Sequence, residues 1–195
     1  MGLIMFTTQI HQTNKVALEP LKLKHLEGLY QAGKHPQIWQ WVLSNYAQTQ
    51  VKLEQWFTHS AQFNQNEQVV FAIIDKHSQQ VVGTTRLFRL DSDNLSAEIG
   101  HTFISFTAQR TYVNTHAKYL LLRYAFNQLN LVRISFNTHE HNQQSRNAIA
   151  RLGAKFEGIA QKDRRLEDGS YRNTAKFSII DEQWPAIKLR LEELL

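Results

Sequence analysis

The stretch Ser105-Phe106-Thr107-Ala108-Gln109-Arg110-Thr111-Tyr112-Val113-Asn114 joins an apolar strand pattern ending near Ile104 to a helical pattern beginning near Thr115. It holds no acidic side chain and one arginine, Arg110. The first turn of a helix leaves N–H groups without intrahelical acceptors, and the aligned peptide dipoles make that end positive. Together these features bind phosphate. Every strand–helix junction offers the same groups, so the loop nominates a site without naming a ligand. The nine histidines suggest metal chemistry only weakly. His139-x-His141 is the one close pair, and no third ligand lies near it in sequence, so no metal is expected. His101 shares a strand with Glu98, and regular alternation would turn it to the opposite face.

The elements that must hold this junction follow from composition and period. The chain has 195 residues, 42% of them hydrophobic and 20% charged, which suits a globular domain with a sizeable core. The absence of cysteine removes disulfides, thiolate metal sites and cysteine nucleophiles. The longest apolar run, Val69 to Ile74, is far too short for a membrane helix. The apolar stretch Gly2 to Phe6 lacks a basic leader and the length of a signal peptide, and Phe6 breaks a myristoylation pattern. A soluble, cytoplasmic protein with no membrane partner is expected. The net charge of +5 is modest. Its densest groups, Lys162-Asp163-Arg164-Arg165 and Lys188-Leu189-Arg190, do not make the basic stripe of a nucleic-acid binder.

Val16 to Leu18 reads as a first strand. Leu23, Leu26, Leu29 and Tyr30 recur at helical spacing until Gly33 and Pro36. Ile38, Trp39, Trp41 and Val42 form a dense aromatic patch on a short helix or turn, and Gln50 to Asn64 reads as a third helix. Val69–Ile74, Val81–Leu90 and Ala97–Ile104 predict an antiparallel meander. Thr115 to Gln128 carries the cleanest helical period, with Ala117, Leu120, Leu121, Tyr124 and Ala125 on one side. Leu131 to Phe136 follows as a strand, so strand, helix and strand predict a parallel crossover. Asn142 is a good cap for a helix that Gly153 closes. Lys155–Arg165 and Tyr171–Ile180 predict two more strands around an Asp168-Gly169 turn, and Glu182 to Leu194 a last helix. These patterns give one α+β or α/β domain with mixed strand directions.

The residues Ala97-Glu98-Ile99-Gly100-His101, followed by Gln109-Arg110-Thr111-Tyr112-Val113-Asn114-Thr115-His116-Ala117-Lys118, resemble the acetyl-CoA-binding core of GNAT acyltransferases. Asn142-Gln143-Gln144-Ser145, Arg151-Leu152-Gly153-Ala154 and Phe156-Glu157-Gly158 resemble the second CoA-contacting segment of the RimJ/RimL-like branch. Gly169, Arg172, Phe177-Ser178-Ile179 and Glu182 with Trp184-Pro185 are similar to its closing strands. The resemblance runs from about Val16 to the C-terminus. It implies a single GNAT-like domain over 1–195, with 1–12 as an N-terminal extension. The expected sheet is twisted and mostly antiparallel, of about six to seven strands, with one parallel crossover and flanking helices. The implied reaction moves the acetyl group of acetyl-CoA to a primary amine on a protein N-terminus, of ribosomal-protein type, or on a small amine.

The family's pyrophosphate motif, Gln/Arg-x-x-Gly-x-Gly/Ala, falls on Gln109, Tyr112 and Asn114, so both glycines are replaced. Backbone N–H donors survive such a change, and Gln109, Arg110, Thr111, Tyr112, Val113, Asn114 and Thr115 are the implied CoA-binding loop. The branch's Gly-x-x-Arg-Asp becomes Arg172-Asn173, and an acidic base of some relatives aligns near Arg164. The resemblance also sets a backbone N–H near Phe103 or Ile104 against the thioester oxygen. Glu98 on that strand is either the base that deprotonates the acceptor ammonium, directly or through a water, or a carboxylate that simply faces solvent or pairs with a neighbouring arginine. Ser145 either holds or protonates the CoA sulfur or helps start its helix, and Asn142 is a cap, a CoA contact, or both. Tyr112, Tyr119 and Tyr124 are alternative acids, with Tyr124 spaced as core. Trp39, Trp41 and Trp56 border the acceptor groove or fill a core or a homodimer surface. The competing class is a non-catalytic CoA-binding or protein-interaction module on the same fold.

Overall fold

The computed structural model describes residues 4–166 and 169–195. Eight strands form one sheet in the order β1-β2-β3-β4-β5-β6-β8-β7. They are β1 (His11–Gln12), β2 (Val16–Pro20), β3 (Gln68–Asp75), β4 (Gln80–Asp91), β5 (Ser96–Ile104), β6 (Arg133–His139), β7 (Lys155–Arg165) and β8 (Tyr171–Ile180). The helices are α1 (Leu26–Ala32), α2 (Gln50–Ser60), α3 (Val113–Arg123), α4 (Gln143–Arg151) and α5 (Trp184–Glu192). The strand count exceeds the expected six to seven because His11–Gln12, in the segment read as an extension, pairs with Leu18 and Ala17 of β2. Phe6 of that segment is buried in the main core.

The predicted meander is present as β3, β4 and β5, each antiparallel to the next. The predicted crossover is β5–α3–β6, the sheet's one parallel pair among the described residues. Asn142 caps α4 by accepting from the Ser145 N–H at 3.0 Å, and Gly153 at φ +100° ends it. The other boundaries shift modestly. α1 starts at Leu26 after a 3-10 turn over Leu23–His25, Pro36–Trp39 is another 3-10 turn, and α2 ends at Ser60. α3 begins two residues early, then loosens into a π turn over Tyr124–Gln128. In the predicted β7–β8 turn, Gly169 has φ +83°, while Asp168 lies outside the described residues.

Two hydrophobic clusters sandwich the sheet. The larger sets Leu120, Leu121 and Tyr124 beside α5's Trp184 and Ile187 against Phe71, Ile73, Leu87, Ile99 and Ile134. The smaller packs Leu29 of α1, Leu53 of α2, Trp39 and Ala47 on Phe103, with Tyr46 and Trp56 against it. The polar sides of α1 and α2 face solvent, so these helices roof one sheet face with aromatic rings.

Candidate functional site

The parallel ladder between β5 and β6 is short: Ser96 faces Arg133, Ala97 faces Ile134, and Glu98 faces Ser135. Beyond that point β5 stays with β4 up to Ile104, and β6 stays with β8 up to His139. The two halves of the sheet part after Glu98, so strand edges that would have paired instead line a seam. A bulge sharpens the opening. Thr84 pairs with Phe103 and Arg86 with Gly100, leaving His101 and Thr102 opposite one residue, and His101 takes φ +47°. Gly83 permits this close strand approach, since a Cβ there would meet the Phe103 carbonyl oxygen at 2.2 Å.

Backbone direction separates the two oxyanion candidates. The Ser105 N–H donates to Val82 of β4 at 2.7 Å, and the Phe103 carbonyl presses on Gly83 of the same strand. Peptide groups alternate along a strand, so the Ile104 N–H turns to the seam and that of Phe103 does not. The Gln109 amide donating to the Ile104 carbonyl at 3.2 Å, from outside β4, agrees with this orientation.

At the seam's mouth, the chain turns through Phe106–Ala108 and passes Arg110 at φ +61° before α3. Tyr112 has φ −64°, ψ −22°, ordinary helical values that need no glycine. Its hydroxyl donates to Asp75 at 2.7 Å, and its ring meets His116, which carries the side chain onto the β3–β4 turn. Among the described residues, the N–H groups of Thr111, Tyr112, Asn114 and Thr115 have no acceptor, while Val113 makes one long contact to Thr111 Oγ1 at 3.3 Å. No side chain caps α3, and its first turn holds no acid. These unclaimed donors and the exposed Arg110 fit a pyrophosphate group.

The other lip of the opening is the start of α4. Gln144 donates to Gln109 at 3.0 Å, tying the lips together. Asn142 spends its carbonyl oxygen on the cap, while the half-buried Ser145 hydroxyl has no partner among the described residues. The three alternative tyrosines lie elsewhere: Tyr112 on Asp75, Tyr119 on Glu192 at 2.7 Å, and Tyr124 bonded through its hydroxyl to Thr7 in the core.

Glu98 sits where the ladder ends, 8% exposed, and accepts from Arg89 at 2.9 Å. The expectation for His101 is corrected. Its ring lies 5.0 Å from that of Phe88, the partner of Glu98 across β4–β5, so the bulge brings it to the Glu98 face. Its imidazole, though exposed at one edge, is lowered by the crowding of its inner side and then by the charges of Arg86, Arg89, Arg164 and Arg172. It is therefore neutral at physiological pH. Of the tryptophans, Trp39 is core, Trp56 stacks on Tyr46, and Trp41 borders the face by packing on His139 and accepting from Arg172 at 3.4 Å. Asn173, where the family resemblance leads one to expect Asp, accepts from the Lys162 N–H at 2.8 Å beside a φ of +48° at Lys162 in β7.

Two buried cations near the bulge escaped the sequence reading. On the α3 side, Lys118 donates to Thr102 at 2.6 Å and Thr85 at 3.1 Å, and burial lowers it to about 7. On the α2 side, Arg86 is 7% exposed and donates to the Gln68 amide oxygen at 2.8 Å, with its Nε unpartnered. Each interrupts an apolar pattern, which is the one signal that marks them. A groove of about 260 Å³ continues below the seam between Glu98, Ser135, Asn137 and Lys176. A larger cavity, about 400 Å³, lies away from the seam at the π turn beside Thr7, Tyr124 and Gln128. Among the described residues, no group of three His, Asp or Glu could hold a metal. No helix among them is long and apolar enough to cross a membrane.

Residues 15–155 match a family model described as an acetyltransferase (GNAT) domain. No curated protein matches the chain significantly. Among solved structures, a GCN5-related N-acetyltransferase from Brucella melitensis is 31% identical with a TM-score of 0.90, covering 98% of this chain and 88% of its own. A spermidine N-acetyltransferase from Vibrio cholerae, solved with CoA and spermine, is 18% identical with a TM-score of 0.72, covering 89% of this chain and 99% of its own. A V. cholerae protein assigned as a ribosomal-protein-serine acetyltransferase is 20% identical with a TM-score of 0.68, covering 88% and 97%. At those identities the last two show the fold alone. The opened parallel seam, the free donors at α3 and the family match converge, and the chain belongs to the GNAT acetyltransferase family.

Proposed function

We propose that the protein transfers an acetyl group from acetyl-CoA to a primary α-amine, of a protein N-terminus or a small molecule, in a complex holding both substrates. The observation that carries the reading is the seam after Glu98, with the Ile104 N–H along it and unclaimed N–H groups at its mouth. Acetyl-CoA supplies the activated acyl group. Thr111, Tyr112, Asn114 and Thr115 hold the pyrophosphate through their N–H groups, with Gln109 and Arg110 beside them and Val113 opening the helix. The Ile104 N–H donates to the thioester carbonyl oxygen and stabilises charge that develops there. Phe103, packed by Trp39 and Tyr46, holds that peptide in place. Asn142 fixes the start of α4 so that the Ser145 hydroxyl can serve the sulfur.

The acceptor must attack as a neutral amine. A lysine-type amine has a pKa of about 10.4, an α-amine about 7.7–8.0, so the second needs less help. The sheet face beyond the ladder carries Arg86, Arg89, Arg164 and Arg172, and positive charge disfavours an ammonium ion. That face supports an α-amine over a polyamine such as spermidine. Glu98 and the neutral His101 are the proton acceptors on it.

Calorimetric titration with acetyl-CoA, CoA and ATP tests the first half. Acetyl-CoA and CoA should bind alike, and ATP much more weakly. Absence of heat from acetyl-CoA would end the reading. Thiol release with a serine- or alanine-terminated peptide against spermidine then tests the second half, with the peptide expected to be the better acceptor.

A further inference from the structure

The most unusual group on the seam's acceptor face is a guanidinium with no counter-ion. Arg86 is only 7% exposed, and its side chain donates to the neutral Gln68 amide. It lies within 6.0 Å of the rings of Trp56 and Phe88, which keep water away without supplying negative charge. An arginine cannot relieve this by losing its proton. Arg172, on the other half of the sheet, feels the charges of Asp163 and Glu98 but has neither as a contact ion pair. Its Nε is buried without a partner, and its Nη1 reaches one carbonyl, that of Trp41.

The acids on this face are already engaged. Glu98 is tied to Arg89, Asp163 lies 3.6 Å from Arg164 and 3.9 Å from Lys176, and Glu157 holds Arg133. Arg86 pairs across β4–β5 with Gly100, beside the His101 bulge. Arg172 extends the β8 face on which Thr174 opposes His139 of β6. Two guanidiniums without a carboxylate in direct contact among the described residues therefore come from opposite halves of the split sheet, with the seam between them. Burying a charge without a partner costs far more than burying a pair, so such a site is completed by an anion.

Resting on the acyl-transfer reading, we propose that the acceptor carries a carboxylate close to its amine, received by Arg86 and Arg172 across the seam. The shared chemistry is an α-amine with a nearby carboxylate, found in a free amino acid and at an acidic peptide N-terminus. Either would hold the amine beside Glu98 and His101 while the guanidiniums anchor the carboxylate with charge-assisted bonds.

The test compares peptides beginning Ser-Asp, Ser-Asn and Ser-Lys with free aspartate and spermidine, using acetyl-CoA as donor and thiol release as readout. Ser-Asp should exceed Ser-Asn in kcat/KM by about tenfold or more, the size of one charge-assisted bond, with Ser-Lys and spermidine lowest. Aspartate outperforming Ser-Asp would assign the site to free amino acids, and the reverse to peptides; both support the carboxylate. In Arg172→Gln the Ser-Asp to Ser-Asn ratio should fall toward one, and Arg172→Lys should restore part of it. Arg172 is half-buried, so folding of these variants is checked by thermal melts, with Arg86→Lys as the second probe of the same ratio. Equal use of Ser-Asp and Ser-Asn, a preference for spermidine, or acetyl-CoA binding with no acceptor in the panel used would each overturn the inference. Loss of acetyl-CoA binding would instead remove the acyl-transfer reading, so the two failures are distinct.

Discussion

Lys118 and Arg86 are buried cations on opposite faces of the same bulge, and they meet burial in different ways. Lys118 lies on the α3 side, against two threonine hydroxyls and no carboxylate. Burial brings it to about 7, so near neutral pH it escapes the cost of a buried charge by releasing a proton. Arg86 lies on the α2 side between aromatic rings and an amide, and it keeps its charge at any physiological pH. One face of β5 can therefore become electrically neutral and serve as packing. The other retains positive charge and remains available to a ligand.

The strongest way to break this comparison is to give the α3 side a cation that cannot deprotonate. Lys118→Arg should destabilise the fold by about 3–5 kcal/mol, the range for an uncompensated buried charge, visible as a lowered denaturation midpoint. An unchanged midpoint would mean that solvent or an unforeseen anion reaches the position. Next, Gly83→Ala forces a Cβ against the Phe103 carbonyl and must shift the strand that aims the Ile104 N–H. Its kcat should fall by about 10²-fold, the scale of one misplaced oxyanion donor, with less change in acetyl-CoA affinity.

Lys118→Met sharpens the same comparison with a smaller effect of opposite sign. The folded lysine titrates near 7 and the unfolded one near 10.5, so between those values the unfolded chain holds a proton that the native chain has released. Native stability therefore rises with pH across that window and is lowest below it. Lys118→Met should flatten the rise and increase Tm by about 5 °C or more at pH 6, since Thr85 and Thr102 still bond to each other at 2.7 Å. His11 gives the acid counterpart. Burial, then the Arg123 charge, holds it down to about 4 against an ordinary 6.5. As pH falls from 6.5 to 4 the unfolded chain gains the proton first, so stability is lost there, and His11→Phe should flatten that loss in melts. The smallest expected change is in Arg110→Ala, where acetyl-CoA affinity should fall about threefold to tenfold because the backbone N–H donors remain.

Much of the architecture was legible because it is locally encoded. Apolar runs between polar turns marked β3, β4 and β5, the period through Leu120 and Leu121 marked α3, and Asn142 with Gly153 bounded α4. The unclaimed N–H groups at the start of α3 were legible from the loop's position and its lack of acids. Replacing its glycines proved harmless to the backbone, since Tyr112 is helical and the left-handed turn moved to Arg110. The face of His101 was misread because a bulge depends on the partner strand, and period-two reasoning assumes there is none. The histidine sequence signal was the same in either case.

The sequence alone determined the type and order of most strands and helices, their limits to within a few residues, and which junction offers N–H groups to an anion. Periodicity, caps and turn residues act over a few neighbours, and each carries its own signature. Tertiary structure decided where the sheet parts after Glu98, which peptide faces the seam, and which cations are buried without a carboxylate in contact. Those depend on residues such as Arg86 and Arg172, far apart in the chain and set on opposite halves of the sheet. A charge's cost is fixed by what surrounds it, and only the folded chain assembles those surroundings.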